Sequence, residues 1–169
     1  LNFIDLFAGA SGLSEGFIKA GFNPIAHVEM NSEASFSIRT RSIYHYLTEN
    51  NYKEYYTKYL KKEISREKLY SLAPNEIIDN TITAEIGDNN ISEIFKQIKQ
   101  LSKDKKIDFI IGGPPCQAYS LIGRHQDEIE NDPRNKLYIQ YGRFLKEFSP
   151  NYFVFENVPG LLSAGNGSH

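Results

Sequence analysis

The sequence has little cysteine, no long apolar run and no excess of basic residues. Cys116 is the only cysteine among 169 residues, which excludes an internal disulfide framework and a cysteine-based zinc cluster. The single thiol is therefore either an inert small hydrophobe or a reactive group. We expect no metal site.

Targeting and membrane signals are also missing from the sequence. The opening LNFIDLFAGA lacks a basic flank, and Asp5 interrupts its apolar run, unlike a signal peptide. No run approaches the roughly 18 apolar residues of a membrane span, so we expect no membrane partner and a cytoplasmic location. The net charge of −2 gives nucleic-acid binding no support, because proteins that hold polyanions usually carry a basic patch.

The remaining composition is that of one globular domain, with 40% hydrophobic and 13% aromatic residues. Apolar runs predict five strands, at about 2–7, 24–30, 81–86, 107–111 and 152–155. Helical periodicity predicts helices at about 13–20, 32–47, 91–101 and 135–148, with Ser32 as a cap. The Tyr- and Lys-rich segment 50–80 predicts a helical insertion on the outside, the alternative being a base-stacking surface.

Strands that alternate with helices predict right-handed crossovers and a parallel sheet covered on both faces. Ligands of such sheets bind beyond the carboxyl ends of the strands. The distinctive residues of this sequence fall at those ends, namely the segment 7–12, Glu29, Asp88, Cys116 and Glu156.

Two of these features favour a nucleoside ligand. The turn DLFAGASG, residues 5–12, lets backbone N–H groups and a helix N-terminus approach a ligand, although a plain tight turn is an acceptable alternative. Glu29 ends the second strand, where one carboxylate can accept hydrogen bonds from two ribose hydroxyls. Asp88, after the third strand, could accept from an adenine amino group.

The thiol lies in the motif GGPPCQ, at the end of the fourth strand. Pro114 and Pro115 restrict the backbone, so they present Cys116 on a rigid turn, as a nucleophile requires. Glu156 follows the fifth strand and could bond the polar edge of a base, and burial there should raise its pKa. The alternative for Glu156 is a carboxylate that caps the next helix.

Together these motifs resemble the DNA (cytosine-5) methyltransferase family. The matching segments are DLFAGASGLSEGF, Glu29, Gly87-Asp88, GGPPCQAYS, DPRNKL and FENVPGLLS. The resemblance implies a Rossmann-like, S-adenosylmethionine-dependent methyltransferase fold with strand order 3-2-1-4-5, truncated before its last strands. Residues 1–169 would then be the cofactor-binding and catalytic subdomain, and the target-recognition domain would be absent.

The resemblance also implies a mechanism and a set of site residues. Cys116 would add to C6 of a flipped-out cytosine in duplex DNA, Glu156 would bond the ring, and Pro115 would shape the pocket. The methyl donor would be S-adenosylmethionine, and the product S-adenosylhomocysteine. The implied cofactor residues are Phe7, Ala8, Gly9, Ala10, Ser11, Gly12, Leu13, Glu29, Met30, Asp88, Asn89, Pro115 and Leu137. The implied substrate-binding residues are Gln117, Ser120, Arg124 and Asn157.

Some features depart from the family pattern. Ser11 replaces a usual Gly, which a small residue tolerates if its φ is negative, and Asn89 stands where an apolar residue is common. The second half of the family's chain is missing, including its Gln-x-Arg-x-Arg strand motif, so we expect this chain alone to be inactive or barely active.

The resemblance leaves the partners partly open. It implies a monomer that acts within a restriction-modification system, with a companion restriction endonuclease as a possible partner. The alternatives are a tRNA cytosine-5 methyltransferase and a non-catalytic cofactor-binding subunit that needs a partner chain.

Overall fold

The computed structural model describes residues 1–115 and 137–157. In this part of the chain, five strands form one parallel sheet in the order β3-β2-β1-β4-β5. The strands are β1 (Asn2–Leu6), β2 (Asn23–Glu29), β3 (Thr81–Thr83), β4 (Phe109–Gly112) and β5 (Tyr152–Phe155). The predicted strand order is therefore confirmed, although β3 is half as long as expected.

Seven helices accompany these strands in the described ranges. They are α1 (Gly12–Lys19), α2 (Ser32–Glu49), α3 (Lys53–Leu60), α4 (Arg66–Tyr70), α5 (Asn75–Asp79), α6 (Ile91–Ser102) and α7 (Leu137–Phe148). The predicted cap of α2 is wrong by one residue. Asn31 is the N-cap, because its side chain accepts a hydrogen bond from the backbone N–H of Ala34 at 2.9 Å.

Both faces of the sheet are covered, because side chains alternate along each strand. On one face the strands pack with α6 and α7 in the main core, whose members include Ile4, Leu6, Ile110, Ile94, Ile98 and Phe144. On the other face, the ring of Phe17 in α1 lies 5.5 Å from the ring of Phe3 and 5.8 Å from that of Phe109. The sheet is thus the middle layer of three.

The segment 50–80 forms the short helices α3, α4 and α5 beside α2. Ile43 and Leu47 of α2 and Leu69 of α4 are buried together there. Half-buried tyrosines pack around them: Tyr46, Tyr55, Tyr56, Tyr59 and Tyr70. These tyrosines therefore build a second, smaller core instead of an open stacking surface.

No helix in residues 1–115 and 137–157 is both long enough and apolar enough to cross a bilayer. Because the strands are parallel, their carboxyl ends all meet at one edge of the sheet. This edge carries most of the predicted site residues that the structure describes.

Candidate active site

The strand order determines the order in which the functional groups lie along the edge formed by the carboxyl ends of the strands. Asp88 follows β3 and Glu29 ends β2. The loop 7–11 follows β1, the Gly113–Pro115 turn follows β4, and Glu156 follows β5. The predicted cofactor residues therefore lie mostly beside β1, β2 and β3. The described members of the predicted base-contacting set, Pro115, Glu156 and Asn157, follow β4 and β5.

Glu29 joins the ends of β1 and β2 through its carboxylate. Its Oε2 accepts from the backbone N–H of Gly9 at 2.7 Å, and its Oε1 accepts from the N–H of Asn31 at 2.8 Å. The Glu29 side chain is largely buried, with 9% exposure. A carboxylate offers about four lone-pair positions. Two backbone donors therefore leave acceptor capacity for a pair of hydroxyl groups.

The loop between β1 and α1 holds a cluster of left-handed backbone conformations. Phe7, Gly9 and Ser11 have φ angles of 56°, 53° and 67°. The condition of a negative φ at Ser11 is not met, because Ser11 is the N-cap of α1 in the left-handed region. These turns aim the N–H of Gly9 at the Glu29 carboxylate.

Space and apolar surface are available around this loop. A Cβ atom placed on Gly9 or on Gly12 would meet no atom within 4 Å, so both backbones border open space. Met30 is 63% exposed and Leu13 is 38% exposed at the same edge, and Phe7 is half-buried. Exposed apolar side chains beside an acid and open backbone fit a nucleoside ligand, whose base can pack against apolar groups while its hydroxyls reach the acid.

Asp88 lies on the turn that precedes α6, together with the exposed Asn89. Its Oδ1 accepts from Arg143 Nη1 at 2.6 Å and from Gln140 Nε2 at 3.1 Å. Both donors belong to α7, whose first residue is the half-buried Leu137. Sequence reasoning missed the two donors, although Leu137, Gln140 and Arg143 recur at a spacing of three, which marks one helix face.

Two glycines at the end of β4 allow very close packing. A Cβ on Gly112 would overlap the carbonyl oxygen of Leu6 in β1. A Cβ on Gly113 would overlap the carboxylate of Glu156 and lie 2.9 Å from its carbonyl oxygen. Glu156 therefore lies directly against the turn that leads to Cys116. Only glycine fits at these two positions.

The prediction that Glu156 is buried is wrong. Its side chain is exposed, since it follows β5, the outermost strand of the described sheet. Pro115 is exposed as well, and Asn157 is half-buried.

Four predicted residues lie outside the described part of the chain. They are Cys116, Gln117, Ser120 and Arg124. Their roles stay predictions, and the nearest described residue to the thiol in the chain is Pro115.

Behind the loop 7–11, sequence reasoning missed a buried polar cluster. Asp5 of β1 lies opposite His27 of β2 in register, and Ser14 of α1 covers both. Ser14 Oγ donates to Asp5 Oδ2 at 2.5 Å and lies 3.3 Å from His27 Nδ1. All three side chains are at most 2% exposed. The serine is thus inaccessible to a substrate, and the cluster is structural support for the loop.

Comparison with known proteins decides the family. A family model described as C-5 cytosine-specific DNA methylase matches residues 1–64 and 59–169, which together are the whole chain. The chain belongs to this family. Type II methyltransferase M.Bpa9945I of Bacillus paralicheniformis is similar, with 41% identity over 187 residues that cover 97% of this chain and 42% of that protein.

A second relative and a solved structure are also similar to this chain over nearly its whole length. Type II methyltransferase M.DdeI of Desulfomicrobium norvegicum is 37% identical, covering 96% of this chain and 29% of that protein. A solved structure of a "putative DNA modification methyltransferase encoded within prophage" from E. coli has a TM-score of 0.55 and 29% identity, covering 97% of this chain and 34% of that one. The chain spans less than half the length of these relatives.

Proposed function

We propose that this chain is the cofactor-binding and catalytic part of an enzyme that methylates C5 of cytosine in duplex DNA. The observation that carries the proposal is the packing of Glu156 against Gly113, three residues before Cys116. This packing brings the carboxylate that follows β5 beside the turn that follows β4, and Cys116 is the next residue of the sequence after that turn. A base held by Glu156 would therefore lie near the nucleophile.

S-adenosylmethionine is the proposed methyl donor, and it supplies an electrophilic methyl group when bound. Glu29 would accept from its ribose hydroxyls with the capacity that Gly9 and Asn31 leave unused. The remaining contacts would come from the backbone of residues 8–13 and from the side chains of Phe7, Met30, Asp88 and Leu137. The exposure of Met30 and the open space at Gly9 support this assignment.

At the base, the chain's own residues would perform three tasks. The Cys116 thiolate would add to C6, which makes C5 nucleophilic, and would leave again after C5 has lost its proton. Glu156 would hydrogen-bond the N3 and amino edge and stabilise the charge that addition creates. Pro115 would bound the pocket. The cytosine must leave the base stack for this, at a cost of a few kcal/mol.

Several parts of the proposal lie outside the described residues. Gln117, Ser120, Arg124 and Asn157 are the proposed contacts to DNA. Recognition of the target sequence is assigned to residues beyond this chain, since the curated relatives are more than twice as long. A companion restriction endonuclease, a monomeric state and action in the cytoplasm of a bacterial cell complete the proposal.

The test is covalent trapping of the complete natural protein on duplex DNA that contains 5-fluorocytosine, with S-adenosylmethionine present. Because fluorine at C5 blocks the final elimination, a stable protein–DNA adduct is expected, and Cys116→Ser should abolish it. Glu156→Gln should slow its formation by about 10²-fold or more. An adduct that persists in Cys116→Ser would refute the mechanism, and an adduct with tRNA in place of DNA would reassign the substrate.

A further inference from the structure

A closed ring of hydrogen bonds holds the carboxylate that we assign to the adenine end of the cofactor. Arg143 Nη1 donates to Asp88 Oδ1 at 2.6 Å, and Gln140 Nε2 donates to the same oxygen at 3.1 Å. Arg143 Nη1 also donates to Gln140 Oε1 at 3.0 Å. Each of the three side chains therefore restricts the other two.

The two donors lie on α7, which is held firmly against the sheet. Gln140 is buried, with 8% exposure, and the neighbouring Tyr141 hydroxyl lies 2.9 Å from the carbonyl oxygen of Ile110 and 3.1 Å from that of Val154. Phe144, one turn further on, is fully buried in the main core. The sheet therefore determines where the amide and the guanidinium lie.

Asp88, in contrast to these anchored donors, is exposed and lies on a turn. Its side chain is 83% exposed and lies on the turn before α6. An exposed aspartate samples several rotamers, and fixing it on ligand binding costs entropy. Arg143 and Gln140 reduce that cost in advance, because they already bind the carboxylate in one orientation.

We propose that Arg143 and Gln140 are positioning residues for adenine recognition, acting through Asp88. They orient the Asp88 carboxylate so that it can accept a hydrogen bond from the exocyclic amino group. A carboxylate oxygen accepts more than one hydrogen bond, so the amino group can bind beside existing partners. This inference rests on the proposed function, since it assumes a cofactor that contains adenine.

The test compares two ligands by calorimetry on the complete natural protein. S-adenosylhomocysteine carries the amino group, and S-inosylhomocysteine carries a carbonyl oxygen in its place. Wild type should prefer the adenosine ligand. Arg143→Ala and Gln140→Leu should each weaken that ligand about three- to tenfold and leave the inosine ligand within about twofold, because only the amino group uses the oriented carboxylate. Arg143→Lys, which keeps a charged donor, should restore part of the preference.

Lys99→Ala is the matched control. Lys99 and Glu147 form an ion pair that also joins α6 to α7, but it does not involve Asp88. Losing this pair should leave the ratio of the two affinities unchanged. If helix docking were the only role of Arg143, then Arg143→Ala and Lys99→Ala would behave alike.

The outcomes separate this inference from the proposed function. If wild type binds neither ligand, the proposed function is wrong. If wild type binds both equally, or if Arg143→Ala weakens both equally or neither, the cofactor assignment stands and the positioning role is refuted.

Discussion

Ser11 lies in a left-handed backbone conformation, with φ of 67°, that strains any residue with a Cβ atom. Such strain costs about 1–2 kcal/mol of folding free energy, which glycine would relieve. Glycine also has more conformational freedom in the unfolded chain, and this offsets about 0.4–1 kcal/mol of the gain. Ser11→Gly should therefore raise the free energy of unfolding by about 0.5–1 kcal/mol. Urea denaturation followed by circular dichroism measures this change.

Ser11→Ala is the control for that prediction. It removes the same hydroxyl but keeps the Cβ atom, so it should bring no gain in stability. A midpoint for Ser11→Gly at or below that of wild type would show that the left-handed turn is not strained.

Ser14 supplies the hydrogen bond that satisfies a buried carboxylate. Its Oγ donates to Asp5 Oδ2 at 2.5 Å, in a cluster shielded from water. Ser14→Ala would leave an acceptor of the buried Asp5 without this donor, which typically costs about 1–3 kcal/mol. We expect a lower free energy of unfolding by that amount in chemical denaturation.

Ser37→Ala provides the comparison for Ser14. Ser37 is also a helical serine, but it is exposed and its hydroxyl donates to the carbonyl oxygen of Glu33. Its replacement should change stability by less than about 0.5 kcal/mol. Equal effects at the two positions would mean that the buried cluster contributes nothing specific.

Individual side chains differ in how far sequence could predict them. Glu29 was found at the expected edge, because the end of a strand is visible in the hydrophobic pattern. The pairing of Asp5 with His27 depends on the register of two strands, which single-strand patterns do not contain. The burial of Glu156 was mispredicted because it depends on what lies beside β5.

Helix α7 is fastened to the sheet by Tyr141, which is 2% exposed. Its hydroxyl lies within hydrogen-bonding distance of the carbonyl oxygens of Ile110 in β4 and Val154 in β5. Tyr141→Phe leaves these carbonyls without the donor and should lower the free energy of unfolding by about 1–3 kcal/mol at neutral pH.

The same variant, Tyr141→Phe, tests how the stability of the protein changes at alkaline pH. Burial, and to a smaller extent the charge of Asp5, raises the pKa of Tyr141 above its usual value of 10.0. The unfolded chain ionises Tyr141 near that pH while the folded chain keeps it neutral, so its stabilising effect is complete below pH 10 and falls as the pH rises above it. The stability gap between wild type and Tyr141→Phe should therefore narrow above about pH 10.

Tyr152→Phe is the control, because Tyr152 is a tyrosine of β5, one of the two strands that the Tyr141 hydroxyl contacts. Tyr152 is 61% exposed on β5, so its replacement should change stability little and should leave the alkaline profile of wild type intact. If the difference in free energy of unfolding between wild type and Tyr141→Phe stays constant across the alkaline range, Tyr141 is not a buried phenol that folding keeps neutral.

The helices and strands with a clear hydrophobic periodicity were the easiest to predict from the sequence. The helix expected at 91–101 is α6, Ile91–Ser102, because its apolar residues repeat every three to four positions. The segment 50–80 was harder, since its three short helices each bury few residues and depend on α2 for a partner.

At the scale of the whole molecule, the parallel sheet followed from one rule. Strands that alternate with helices are joined by crossovers, and the parallel strands that result place their carboxyl ends at one edge. The order β3-β2-β1-β4-β5 agrees with the family resemblance, which periodicity alone could not supply. The long polar stretch after Pro115 has no hydrophobic periodicity from which secondary structure could be predicted. The sequence therefore predicted a chemical role for the thiol but not its position.

Among the described strands β5 is outermost, and it exposes an apolar surface that should make the isolated 169-residue chain self-associate. The monomeric state that we propose refers to the complete natural protein. Tyr152 and Phe153 are 61% and 58% exposed on β5. Phe153→Lys should reduce the concentration-dependent rise in mass seen by sedimentation velocity, because a charged edge resists strand pairing. Leu60→Lys, at a residue 63% exposed on α3, should leave that rise unchanged. Equal effects of both changes would point to general hydrophobicity instead of the β5 edge.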